Sequence, residues 1–98
     1  MKQHNYFVYL ISNPSKTVLY TGVTNDLEVR LQQHKDNRGK PETFAGKFYC
    51  YKLLYYERYT NVEQAIEREK EIKLMGREAK VELIKSVNPK MSFLYIAS

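Results

Sequence analysis

The chain has 98 residues, 16 Lys and Arg against 11 Asp and Glu, and a net charge of +5. That length predicts one domain spanning 1–98 with its core at about 6–90, and leaves no room for a second core. With 43% hydrophobic and 28% charged residues the composition is globular rather than disordered. No apolar run reaches the roughly 20 residues a membrane-spanning helix needs, and no signal-peptide pattern opens the chain. The single cysteine, Cys50, excludes an internal disulfide and paired-cysteine zinc sites. A small basic cytoplasmic domain is the expectation.

In chain order, Tyr6–Ile11 is a short aromatic and β-branched run that predicts a buried strand. Asn13-Pro14-Ser15-Lys16 has type I turn chemistry, and residues 18–23 form a second strand. The two predict a hairpin. If it is centred on the Pro14–Ser15 bond, Tyr9 lies opposite Tyr20 and both rings share a face. Asn25, with Glu28 three residues on, predicts a capping box for a helix over about 26–36. Residues 36–41 read as a loop, and Phe48–Glu57 as a third strand rich in tyrosine. Thr60 and Glu63 predict another capping box for a helix over 61–75 ended by Gly76. A last helix over 77–87 stops at Asn88-Pro89. The order is β-β-α-β-α-α: an α+β fold with a small three-stranded, mainly antiparallel sheet flanked by helices.

Three places on this framework carry chemistry. Two phenols side by side could position a water, accept a proton or hold a phosphate oxygen, although a cross-strand aromatic pair needs no chemistry at all. Leu27, Arg30, Leu31 and His34 share one helix face, so an arginine and an imidazole lie on a stripe that is half apolar. Arg30 suits a phosphate, or simply reaches past the leucines to solvent. Glu69 falls on the stripe of Val62, Ala65, Ile66 and Ile72, where a carboxylate calls for a cation or a metal. One Mg²⁺ or Mn²⁺ fits oxygen ligation, and an internal salt bridge to Arg30 is the alternative. Phenols, a guanidinium, an imidazole and one carboxylate together suit phosphodiester hydrolysis with a single metal ion. From Arg30 to Lys52 the bases Arg30, Lys35, Arg38, Lys40, Lys47 and Lys52 outnumber the acids Asp36 and Glu42, which suits a phosphate backbone.

These motifs resemble the GIY-YIG nuclease domain, and in particular its small stand-alone bacterial members. Phe7-Val8-Tyr9 and Tyr20-Thr21-Gly22 match its two signature tripeptides, with Phe7 and Thr21 departing from the usual Gly and Ile. Residues 22–34 resemble the helix that carries the family's Arg and His. Residues 65–73 resemble the helix with its metal-binding Glu, and 84–89 resemble the closing Asn-Pro. Residues 74–78 and the tail after Pro89 lack the Trp-containing patterns of close relatives. The resemblance implies a metal-dependent DNA endonuclease of the kind used in DNA repair, acting on branched or single-stranded substrates. It implies catalytic roles for Tyr9, Tyr20, Arg30, His34 and Glu69, with Glu69 holding the metal and Asn88 meeting nucleic acid, while the basic run offers Lys35, Arg38, Lys40 and Lys47 to the phosphates. A protein partner could supply specificity, since no DNA-binding domain is appended. A nucleic-acid-binding module without catalysis and a protein-interaction adaptor are the alternatives.

Overall fold

The structure, a computed structural model, describes residues 4–96; the outer ends of the expected domain, 1–3 and 97–98, lie outside the described residues. Its elements are β1 (Tyr6–Ser12), β2 (Leu19–Thr24), α1 (Leu27–Asp36), α2 (Phe44–Lys47), β3 (Lys52–Tyr59), α3 (Val62–Lys73) and α4 (Arg77–Val87). The sheet is antiparallel throughout, in the order β2-β1-β3. The α+β expectation therefore holds, with α2 as one added turn.

β1 is the middle strand and is buried from Val8 to Ser12, which explains its unbroken apolar run. Its two faces carry two cores. Val8 and Leu10 pack with Leu54, Ala65, Ile72 and Ile84, which brings α3 and α4 onto that side. Tyr9 and Ile11 pack with Leu27, Ala45, Cys50 and Leu53, which brings α1 and α2 onto the other. Leu54 is the extra residue of a bulge, because Leu10 pairs with Tyr55 and Ile11 with Leu53.

The hairpin register differs from expectation. Tyr9 pairs with Gly22 and Ile11 with Tyr20, so Tyr9 and Tyr20 are diagonal rather than opposite. Asn13 enlarges the loop: its side-chain oxygen accepts from the amides of Thr17 and Val18 at 2.9 and 3.0 Å, with Lys16 at φ 59°. Because the partner changes by two positions, both tyrosines stay on the same face. Arg77 fastens this loop to the start of α4 by donating to the Lys16 and Thr17 carbonyls.

Both predicted capping boxes are one residue early. Asp26 caps α1 through the amide of Val29, and Asn61 caps α3 through the amide of Gln64. A carboxylate or amide side chain sits immediately beside each predicted cap, so both neighbours were eligible. α3 ends at Lys73, and Gly76 precedes α4 instead of closing α3. β3 begins four residues late because Thr43 caps the turn α2 and Tyr49 adopts φ 57°, which interrupts an extended chain. The apolar stripe of α3 is also narrower than the sequence suggests. Ala65 and Ile72 are buried, whereas Val62 and Ile66 are exposed. On the same helix Arg68 makes a paired contact with Glu57 of β3, whose carboxylate also accepts from Tyr55 and Tyr59. Burial works to raise the Glu57 carboxyl, but these donors hold it below the usual range. In α4 only Ile84 is buried, and Ala79 and Val87 face water.

Thr21 has a buried hydroxyl with no hydrogen-bond partner. It pairs with Leu10 and so points toward the α3 side, where the signature motif ordinarily places an isoleucine.

Candidate active site

The site is built around Tyr9. The strand buries this residue to 1% exposure, and β2 passes so close that a Cβ on Gly22 would overlap the Tyr9 phenol. Gly22 is therefore what gives the ring its place. Two turns of α1 then reach the phenol from above. Arg30 and His34 are four residues apart, so both side chains leave the helix on one face. The Tyr9 hydroxyl lies 2.7 Å from His34 Nε2, and Arg30 Nε donates to it at 3.4 Å. Arg30 is steadied by a second bond from Nη1 to Gln33 Oε1, 3.0 Å.

Arg30 fixes the direction of one of these two bonds. A guanidinium only donates, so the Tyr9 oxygen accepts from Arg30, and the phenol is free to give its own proton to His34 Nε2. That requires a neutral imidazole with its proton on Nδ1. Burial, with the Arg30 charge added, pushes the His34 pKa down to about 4, in agreement. Burial likewise pushes the Tyr9 phenol up to about 12 against the opposing pull of Arg30. The bond to Tyr9 holds Arg30 above its ordinary value.

Tyr20 is half-buried and completes an aromatic cluster. Its ring centroid is 6.5 Å from that of Tyr9 and 5.5 Å from that of His34, and Phe44 of α2 stacks beside it at 6.3 Å. Glu69 of α3 has a side chain only 15% exposed, with Lys73 Nζ 3.4 Å from its carboxylate. Its charge bears on the Tyr9 phenol, raising it further. The salt bridge to Arg30, the alternative to a metal, is not formed. Arg30 is spent on Tyr9 and Gln33, and Glu69 takes the i+4 lysine of its own helix.

The basic side chains are placed less uniformly. Arg38 lies over Tyr51 and Lys47 over Phe48, while Lys40 bonds Asn37 and Lys35 lines a depression of about 280 Å³ with Glu28, Tyr51 and Phe93. None of Tyr9, Tyr20, His34 or Glu69 borders that depression. Asn88 has structural partners of its own. Its amide donates to the Leu54 and Ser92 carbonyls and accepts from the Ser92 amide, so it fastens the turn after α4 to β3. The tyrosines of β3 are partly withdrawn too, since Tyr55 and Tyr59 are spent on Glu57. Cys50 is buried and its thiol is pushed up, which makes it no nucleophile.

Sequence reasoning did not reach Gly22 as the seat of Tyr9, Gln33, Lys73 or Phe44. Gln33 and Lys73 stand three and four residues from Arg30 and Glu69, a local signal that could have found them. Phe44 meets Tyr20 only through the tertiary fold.

The family model for the GIY-YIG catalytic domain matches residues 5–81, which takes in both tyrosines, α1 and α3. The chain belongs to the GIY-YIG family. Among relatives, the UPF0213 proteins of Staphylococcus aureus strains Mu3 and Mu50 are each 36% identical over 81 residues, covering 83% of this chain and 95% of theirs. The solution structure of the UPF0213 protein BH0048 from Bacillus halodurans has the same fold. It shares 26% identity and a TM-score of 0.55, over 88% of both chains. A nuclease-like GIY-YIG domain of small size is thus the setting of the Tyr9 cluster. Among the described residues no helix is long and apolar enough to cross a membrane.

Proposed function

We propose that the chain is a divalent-metal-dependent endonuclease that hydrolyses phosphodiester bonds of DNA. The observation that carries this reading is the Tyr9–His34–Arg30 unit, a phenol held between a neutral imidazole and a guanidinium, on which the charge of the Glu69 carboxylate bears.

The donor set fits one hard cation. Among the described residues no three His, Cys, Asp or Glu side chains cluster, so the available site is Glu69 plus substrate oxygens and water, a form Mg²⁺ and Mn²⁺ accept. When bound, such an ion supplies positive charge to the phosphate and to the leaving oxygen. Lys73 must release the carboxylate, and its side chain is half-exposed and free to do so.

In the reaction a water oxygen bonds to phosphorus and the bond to the leaving oxygen breaks, carrying its electron pair away. The water's proton has two routes. Ionising Tyr9 at pH 7 costs about 7 kcal/mol with its pKa near 12, whereas protonating His34 from near 4 costs about 4 kcal/mol. The cheaper route is a relay: Tyr9 takes the water's proton on its oxygen while handing its own to His34 Nε2. Arg30 stabilises the charge that builds on the phosphoryl oxygens, and the Tyr20 hydroxyl orients the phosphate or the water. Arg38, Lys40 and Lys47, with Lys35 further along, hold the flanking backbone.

The test is cleavage of labelled single-stranded, duplex and branched DNA, and of RNA, by wild type and Glu69→Ala in Mg²⁺, Mn²⁺ and EDTA. Cutting of DNA by wild type alone, abolished by EDTA, is the expected result. Equal cutting by both proteins, or salt-sensitive binding with no cutting under any metal, overturns it.

A further inference from the structure

Beside the catalytic cluster two phenylalanines stand out in water. Phe44 is 51% exposed and Phe48 38%, although the core beneath them is already filled by Ala45 and Cys50 of the same segment. They continue the ring series of the site outward: Tyr20 to Phe44 at 6.3 Å with planes 25° apart, then Phe44 to Phe48 at 4.7 Å. The segment is held firmly. Gly39 donates to the Gly46 carbonyl and Cys50 to that of Ala45, each at 2.8 Å, and a Cβ on Gly46 would strike the Lys40 and Asn37 carbonyls. Lys47 lies over the Phe48 ring at 5.5 Å. Between Asn37 and Tyr56 the bases are Arg38, Lys40, Lys47 and Lys52, and Glu42 is the one acid.

Rigid, exposed rings set in positive charge are what an unpaired nucleobase on a polyanion requires. A base has an apolar face to offer, and its phosphates meet the lysines. A duplex hides those faces in its own stack and offers the rings nothing. We propose that Phe44 and Phe48 form a stacking platform for an unpaired base of single-stranded DNA next to the scissile phosphate, an inference that rests on the nuclease reading. The platform selects single strands and unpaired junctions over duplex, and it sets the strand's register through the contact of Phe44 with Tyr20.

The experiment is fluorescence anisotropy at fixed salt in EDTA, so that nothing is cut. The probes are a labelled oligothymidylate 12-mer, an abasic 12-mer with the same phosphates, a duplex of that length and a uridylate 12-mer. Wild type is expected to bind oligothymidylate roughly 5- to 150-fold more tightly than the abasic strand, the range for one stacked base. Phe44→Ala/Phe48→Ala should lose that advantage and keep its abasic affinity. Phe44→Leu/Phe48→Leu, which keeps apolar bulk, should lose it as well. Phe48→Trp introduces the only tryptophan of the chain. Its emission should be quenched by oligothymidylate and unchanged by the abasic strand, a readout that stands even if the alanine pair fails to fold. Equal affinity of wild type for the two single strands overturns the platform, as does a variant that loses both equally. Tighter binding of uridylate than thymidylate overturns DNA as the occupant. Base-dependent binding by a protein that cuts nothing in Mn²⁺ overturns the nuclease reading and leaves the platform standing. Cutting without base dependence does the reverse.

Discussion

Gly22→Ala places the smallest possible side chain where the Tyr9 ring already lies. The ring has little room to retreat, because the His34 and Tyr20 rings stand 5.7 and 6.5 Å away. Nor can the backbone yield freely, since Gly22 and Tyr9 are paired partners in the β1–β2 ladder. Overpacking of this kind costs about 1–3 kcal/mol. For a domain of this length that lowers Tm by roughly 5–20 °C. The cost belongs to one contact, so a double-mutant cycle isolates it. In a Tyr9→Leu background, where no phenol overhangs the strand, Gly22→Ala should cost less than about 0.5 kcal/mol by urea denaturation, giving a coupling of at least about 0.5 kcal/mol. An equal penalty in both backgrounds, or a Gly22→Ala protein that melts with wild type, would show that the glycine is not there to seat Tyr9.

Other outcomes follow from the same geometry. Thr21→Val removes a buried, unpartnered hydroxyl at nearly constant shape, and should raise stability by about 1–2 kcal/mol in urea; a destabilised variant would mean that the hydroxyl has a partner in solution. His34 has a folded pKa near 4 against an ordinary 6.5, so above pH 6.5 it is neutral in both states and contributes nothing to pH dependence. As pH falls from 6.5 to 4 the unfolded chain takes up its proton first, and stability drops by up to about 3 kcal/mol. The Tm of His34→Gln should fall less steeply than that of wild type over this window, and parallel curves would contradict a buried neutral imidazole. Lys73→Ala frees the Glu69 carboxylate, so half-maximal cleavage should need a few-fold less Mn²⁺; an unchanged requirement would separate Lys73 from the metal.

Much of this was legible in the sequence because it rests on local spacing. Arg30 and His34 at i and i+4, and Glu69 between Ala65 and Ile72, are set by helical period, and tertiary packing only had to respect it. The hairpin is instructive in the other direction. Its register could not be read, since Asn13 organises a longer loop through side-chain bonds, yet the shared face of Tyr9 and Tyr20 survived because the shift was even. Strand β3 was read too early because tyrosine favours strands and because nothing local announces the left-handed Tyr49. The pairing of Arg68 with Glu57 was hidden for a similar reason: a charged residue on a helix face reads as solvated until its partner on another strand is known.

The central claim is that Tyr9 and His34 act as one proton-accepting unit. Single-turnover cleavage in Mn²⁺ by wild type, Tyr9→Phe, His34→Ala and the double variant tests it most directly. If the proton passes through the phenol to the imidazole, either single substitution removes nearly all the rate and the double variant is no slower than the worse single. Rate losses that multiply in the double variant, or a His34→Ala protein that cuts like wild type, would contradict the relay.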